Sequence, residues 1–207
     1  MEPRAGLVLL GAGGHAKVLL ATLQAAGREV LEVLDDDQAR WGTSLLGCPI
    51  SGPIDGNTLA PGHPAILGIG DNRVRQRLAG LDLSWPQVVH PDATVHSSVL
   101  VGDGSVVFAG AVIQPEVTLG RHVIVNTGAT VDHDCRLGDF AHIAPGCHLA
   151  GQVRVDEGAL LGIGAAVVPG VSIGAWATVG AGAVVLHDVA AGSVVAGAPA
   201  RVLGSSR

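Results

Sequence analysis

Aromatic side chains are scarce in this chain: two Phe, three Trp and no Tyr among 207 residues. A core built on large rings is excluded, although such rings supply much of the buried area in ordinary interiors. Hydrophobic residues still reach 48%, so the interior has to be filled by Val, Ile, Leu and Ala. Charge is sparse too, at 14% of residues with a net of −6. No basic block or basic–aromatic alternation occurs, so nucleic acid is not an expected partner. The three cysteines, Cys48, Cys135 and Cys147, are odd in number and lack metal-ligand spacing. They point to a reduced, cytoplasmic protein rather than a disulfide framework. The apolar run Leu7 to Leu10 near the start is too short for a signal peptide or a membrane span, so no membrane partner is expected.

What is abundant is glycine and a beat of six. With 31 glycines and 11 prolines, about a fifth of the chain breaks regular structure, against roughly 12% in average proteins. Stepping by six from Val95 through Val101, Val107 and Ile113 to Val185 gives sixteen consecutive positions of Val, Ile or Leu. Four residues after each stands a small one, such as Ala111, Ala129, Cys135, Ala141 and Ala165. A helix cannot keep this period, and so many glycines would ruin it. A single hairpin sheet would show alternation without the six-residue beat. The pattern fits a triangular prism in which each hexad is a face and a corner, three hexads make a turn, and strands pair 18 residues apart. Sixteen hexads give a little over five turns, a column roughly 25 Å tall at sheet spacing.

Residues 1–86 follow another rule. Leu7 to Leu10 and Val30 to Leu34 read as strands, Ala16 to Ala26 as a helix stopped by Gly27, Ala65 to Gly70 as a third strand, and Asn72 to Leu81 as a second helix capped by Asp71. This is a Rossmann-like βαβ unit with a glycine-rich first turn, Gly11-Ala12-Gly13-Gly14-His15-Ala16, suited to a phosphate. The acid after the second strand commonly meets a ribose or base. Gly11, Gly13 and Ala16 also fit the dinucleotide fingerprint, but some 80 residues are half of such a fold, so one nucleotide is the better fit. The expected division is 1–86, 87–190 for the prism, and a tail at 191–207.

Six segments now carry a resemblance: GAGGHAKV at 11–18, LDD at 34–36, GIGDNRVR at 68–75, VNTGATVDHDC at 125–135, FAHIAPG at 140–146 and VAGAPARV at 195–202. Together they are similar to the hexapeptide-repeat bacterial sugar acyltransferases, which include UDP-4-amino-sugar N-acetyltransferases and sialic acid O-acetyltransferases. The resemblance implies a left-handed parallel β-helix, acetyl-CoA as co-substrate, no metal, and a homotrimer with the cofactor between neighbouring prisms. It implies that His133 is the general base and that Asp134, where several relatives carry Glu, raises its basicity. It places Gly13, Gly14, His15, Asp35, Asp36, Gly70 and Asn126 against a nucleotide-sugar, and His142, Gly151, Ile163 and Ala181 against the cofactor. Ala181 stands where the family pattern has glycine.

The chemistry of the residues agrees, because an ammonium acceptor must lose a proton and a histidine is the natural group to take it. Pro115 and Gly151 lie one turn either side of His133 and leave its ring uncrowded. Other readings are O-acetylation of a sugar hydroxyl, a zinc protein like the carbonic anhydrases of this fold using His133, His142 and His148, and a non-catalytic nucleotide-sugar sensor. Phe108, Phe140 and Trp176 are expected to form outward apolar surface for trimer contacts.

Overall fold

A computed structural model describes residues 6–55 and 59–205. The chain divides into two units, Met1–Pro91 and Asp92–Arg207.

The first unit is a mixed, mostly parallel sheet with helices. Its elements run β1 (Leu7–Leu10), α1 (Gly14–Ala25), β2 (Val30–Leu34), β3 (Ser44–Leu45), β4 (Cys48–Gly52), β5 (Ala65–Leu67) and α2 (Asn72–Leu78). The sheet order is β3-β4-β2-β1-β5, with β1 parallel to both β2 and β5. All four residues of β1 are buried, as a central strand covered on both faces requires. Helix α2 begins as the sequence suggests, with the Asp71 side chain accepting from Val74 N at 2.9 Å. The β3–β4 hairpin on the sheet edge has no counterpart in the sequence reading.

The second unit is a parallel β-helix of two-residue strands. The register is the expected one: Val112 pairs with Thr130, Thr130 with His148, and His148 with Ala166. Three sheets result. One face carries Ile124–Val125 and His142–Ile143, the next Thr130–Val131 and His148–Leu149, and the third Arg136–Leu137 and Arg154–Val155. The inward residues of every hexad from Val107 to Val185 are buried in one continuous cluster. The 18-residue step contracts to 16 at the end, where Val179 pairs with Val195. Within 191–207, Ser193–Ala196 continues one face and Arg201–Ser205 turns back antiparallel against it. Among the described residues no helix is long and apolar enough to cross a membrane.

One expectation fails. Phe108 is 0% and Phe140 6% exposed, so neither is outward apolar surface. Phe140 sits at a corner where the ring of His122, one turn earlier, stacks on it with centroids 5.3 Å apart.

Candidate functional site

The glycine-rich turn opens onto a cavity of about 370 Å³ lined by Gly13, Gly14, His15, Asp35, Asp36 and Gly70, together with Gly11, Ala12, Ile54, Gly68 and Ile69. All six residues that the sequence reading sets against a nucleotide in this unit line the same cavity. The cavity exists because β1 and β2 end side by side and α1 starts at its rim. Helix α1 has Gly13 at its N-cap, no side-chain cap and no acid in its first turn, so its positive end is open to an anion. A Cβ at Gly13 or Gly14 would meet nothing within 4 Å, so both glycines border open space.

The two acids differ in duty. Asp35 accepts from Ala12 N at 2.6 Å and from Asp37 N at 2.9 Å, so it braces the glycine turn. Arg40 adds a bond to Ala12 O at 2.9 Å, and Trp41 Nε1 donates to Asp35 O at 2.7 Å. Asp36 accepts from Ile54 N at 2.9 Å and forms the far wall. Arg75 was not singled out by the sequence, though it closes the segment 68–75. It is 1% exposed and donates to Gly70 O and Asn72 Oδ1, both at 2.9 Å. Burial pushes its guanidinium down to about 10, partly offset by Asp71. Burial, and then the Arg75 charge, push His15 down to about 4, so this imidazole is neutral near pH 7.

In the prism, His133 and Asp134 share a corner. Asp134 adopts φ +60°, and its Oδ2 lies 2.7 Å from His133 Nδ1. A carboxylate only accepts, so Nδ1 carries a proton, and in the neutral ring Nε2 keeps its lone pair. The hydrogen bond to Asp134 raises the His133 pKa, with Asp132 adding to it. The His133 side chain is 56% exposed, open to a reactant.

Asn126 and His142 form a second pair. Thr127 N donates to Asn126 Oδ1 at 2.8 Å, which leaves the amide nitrogen facing His142 Nε2 at 3.2 Å. This pair lies beside a different corner, the one that carries Ile163 and Ala181. Those two stack one turn apart, Gly182 N donating to Ile163 O at 2.8 Å. Ile163 is exposed, and its corner neighbours Gly128, Gly146, Gly164 and Gly182 have nothing within 4 Å of a notional side chain. The corner is an open strip along the prism. Gly151 lies away from this strip, at the His133 corner. The structure thus brings together His133 with Asp134 and Gly151, Asn126 with His142, and Ile163 with Ala181, at two separate corners of one prism.

His148 lies against Thr130 Oγ1 at 2.9 Å, so the three histidines weighed as zinc ligands each meet a different partner. Among the described residues no group of three or more His, Cys, Asp or Glu could hold a metal ion.

Residues 6–80 match the family model described as the PglD N-terminal domain. The UDP-N-acetylbacillosamine N-acetyltransferase of Bacillus subtilis is 36% identical over 111 residues, covering 50% of this chain and 51% of that one. The chain spans about half or less of the length of the curated relatives it matches. Among solved structures, the acetyltransferase domain of PglB from Neisseria gonorrhoeae in complex with acetyl coenzyme A is 41% identical with a TM-score of 0.89, covering 97% of this chain and 100% of that one. PerB from Caulobacter crescentus, in complex with CoA and GDP-perosamine, is 40% identical with a TM-score of 0.88, covering 98% and 99%. With both units matched end to end at this identity, the chain belongs to the hexapeptide-repeat sugar acyltransferases.

Proposed function

We propose that this chain transfers an acetyl group from acetyl-CoA to the amino group of a nucleotide-linked sugar, with His133 as the general base. The observation that carries it is the His133–Asp134 pair, a histidine with Nδ1 engaged, Nε2 available and its ring exposed. The glycine turn and Asp36 hold the nucleotide, the positive end of α1 facing its phosphates. Neutral His15 meets them as a hydrogen-bonding group. Acetyl-CoA supplies the thioester. His142, hydrogen-bonded to Asn126, addresses the acyl end of the cofactor, and Ile163 and Ala181 line its strip.

The acceptor amine forms a bond to the thioester carbonyl while His133 Nε2 takes its proton. The carbon–sulfur bond then breaks, and the imidazolium returns the proton to the leaving thiolate. Asp134 stabilises the imidazolium and holds the ring. A positioned base of this kind contributes about 10²–10⁴-fold. The polar pairs occupy separate corners, so the working unit is a homotrimer in which the His133 corner of one copy meets the His142 corner of the next. The buried free thiols Cys48, Cys135 and Cys147 suit a reducing compartment, and we assign the protein to the cytoplasm.

The experiment is a thiol-release assay with acetyl-CoA against UDP- and GDP-linked amino sugars and their hydroxyl counterparts. Release with amino sugars, lost by a factor of about 10² or more in His133→Ala, is expected. Release with hydroxyl sugars alone would make this an O-acetyltransferase. No release with any acceptor would leave the pocket as a sensor.

A further inference from the structure

The corner column that holds His133 runs Pro115, His133, Gly151, Pro169 and His187, one residue per turn. The position itself tolerates a ring or a long side chain, yet a glycine stands immediately after His133. Its backbone φ is not in the left-handed region, so conformation does not demand glycine there. Space does: a Cβ at Gly151 would lie 2.6 Å from both Cε1 and Nε2 of His133 and 3.2 Å from Cδ2. The far edge of the imidazole rests on the bare backbone of residue 151. At Gly138 and Gly162 a Cβ would instead strike backbone of the next turn, and at Gly104 and Gly158, where it would meet the ring of His122 or Trp176, a positive φ already calls for glycine.

We propose that Gly151 is a positioning residue for the base, its missing side chain forming the seat on which the His133 ring lies while Nδ1 stays on Asp134. The proposal deepens the acetyltransfer reading and rests on His133 being the base. The backbone around the seat is fixed: Gln152 N donates to His133 O at 2.9 Å, Gly170 N to Gly151 O at 3.0 Å, and Asp134 N to Pro115 O at 3.2 Å. The ring is the exposed end of a rotatable side chain. A methyl group at 151 therefore moves the ring and not the coil. Displacing the ring swings Nδ1 away from Asp134 Oδ2 and moves Nε2 from its working place. Asp132 and Asp134 are the charged groups acting on this ring, and Asp132 accepts from the His133 backbone N at 2.8 Å.

The test is Gly151→Ala in the full chain, alone and combined with His133→Ala. NMR titration of the His133 ring should move down toward an ordinary histidine, whether or not any acetyl acceptor is found. Turnover should fall about tenfold or more, as misplaced catalytic groups do, with the KM for acetyl-CoA changed less than about threefold. In the His133→Ala background the second substitution should cost nothing further, since both act through one ring. Unchanged titration and turnover with a raised KM for acetyl-CoA would overturn the proposal and leave Gly151 as cofactor-lining backbone. If Gly151→Ala fails to fold, the double variant decides: folding restored by removing the ring supports the seat, and failure of both overturns it.

Discussion

Lowering the pH from 7 to 5 should loosen the N-terminal unit, and His15 sets by how much. Its imidazole is held at about 4 by burial and by the Arg75 charge, against an ordinary 6.5. A histidine whose folded value is lowered refuses a proton that the unfolded chain accepts. Its contribution is therefore complete above 6.5 and is lost as pH falls from 6.5 toward 4. At about 1.4 kcal/mol per pH unit the loss approaches 2 kcal/mol at pH 5 and 3 kcal/mol at pH 4, an upper bound for a half-buried group. Carboxylates titrate in the same range, so the informative quantity is the difference from His15→Gln, which cannot take a proton. Native-state hydrogen exchange of the α1 amides, corrected for intrinsic rates, reads it locally in the whole protein. Wild type should lose protection faster than His15→Gln between pH 7 and 5. Parallel losses in the two proteins, or an NMR titration of His15 near 6.5, would refute the reasoning.

Asp134→Asn replaces the charged acceptor that raises the His133 pKa with a neutral one, so the acid limb of the rate–pH profile should move to lower pH as maximal turnover falls. A limb that stays in place would mean another group controls it. Asp36→Ala should weaken nucleotide-sugar binding by about 1–3 kcal/mol and leave acetyl-CoA binding alone; calorimetry showing both weakened equally would contradict separate pockets. Ala141→Leu overfills a 0% exposed inward position and should cost about 1–3 kcal/mol, seen as a lower Tm with little change in KM for either substrate.

The prism was legible because its axis dictates chemistry at a fixed interval. Every inward position from Val107 to Val185 is apolar or small, and a single slip would have exposed the row. The Ser44–Gly52 hairpin was not legible, since strands of two and five residues at a sheet edge carry no period. Helix α1 starts at Gly14 and not at Ala16, because glycines that weaken helix interiors are tolerated at an uncapped start that faces a cavity. Phe108 and Phe140 were misread for a physical reason. Hexad phase shows whether a residue faces the axis, and it is silent on whether a neighbour 18 residues away covers it, as His122 covers Phe140. The resemblance assigns Gly151 to the cofactor and the 18-residue step sets it beside His133, but how closely the ring lies against it is legible only in the structure, because glycine has no side chain to reveal a contact. Arg75 does not stand out in the sequence because it is one of three arginines in a short helical stretch, with Arg73 and Arg77, and such a stretch reads as solvated surface.

The 18-residue register has a consequence for how such a chain can change length. Removing one residue from a face would turn every later aliphatic side chain outward and every polar one inward. Removing 18 would shorten the column by one storey and leave each remaining column in phase. Length can therefore vary in whole turns, or by loops grown at corners, and hardly otherwise. Corners are also where the reactive groups stand. The storeys that carry Asn126, His133, His142, Ile163 and Ala181 are accordingly the ones that deletion cannot touch.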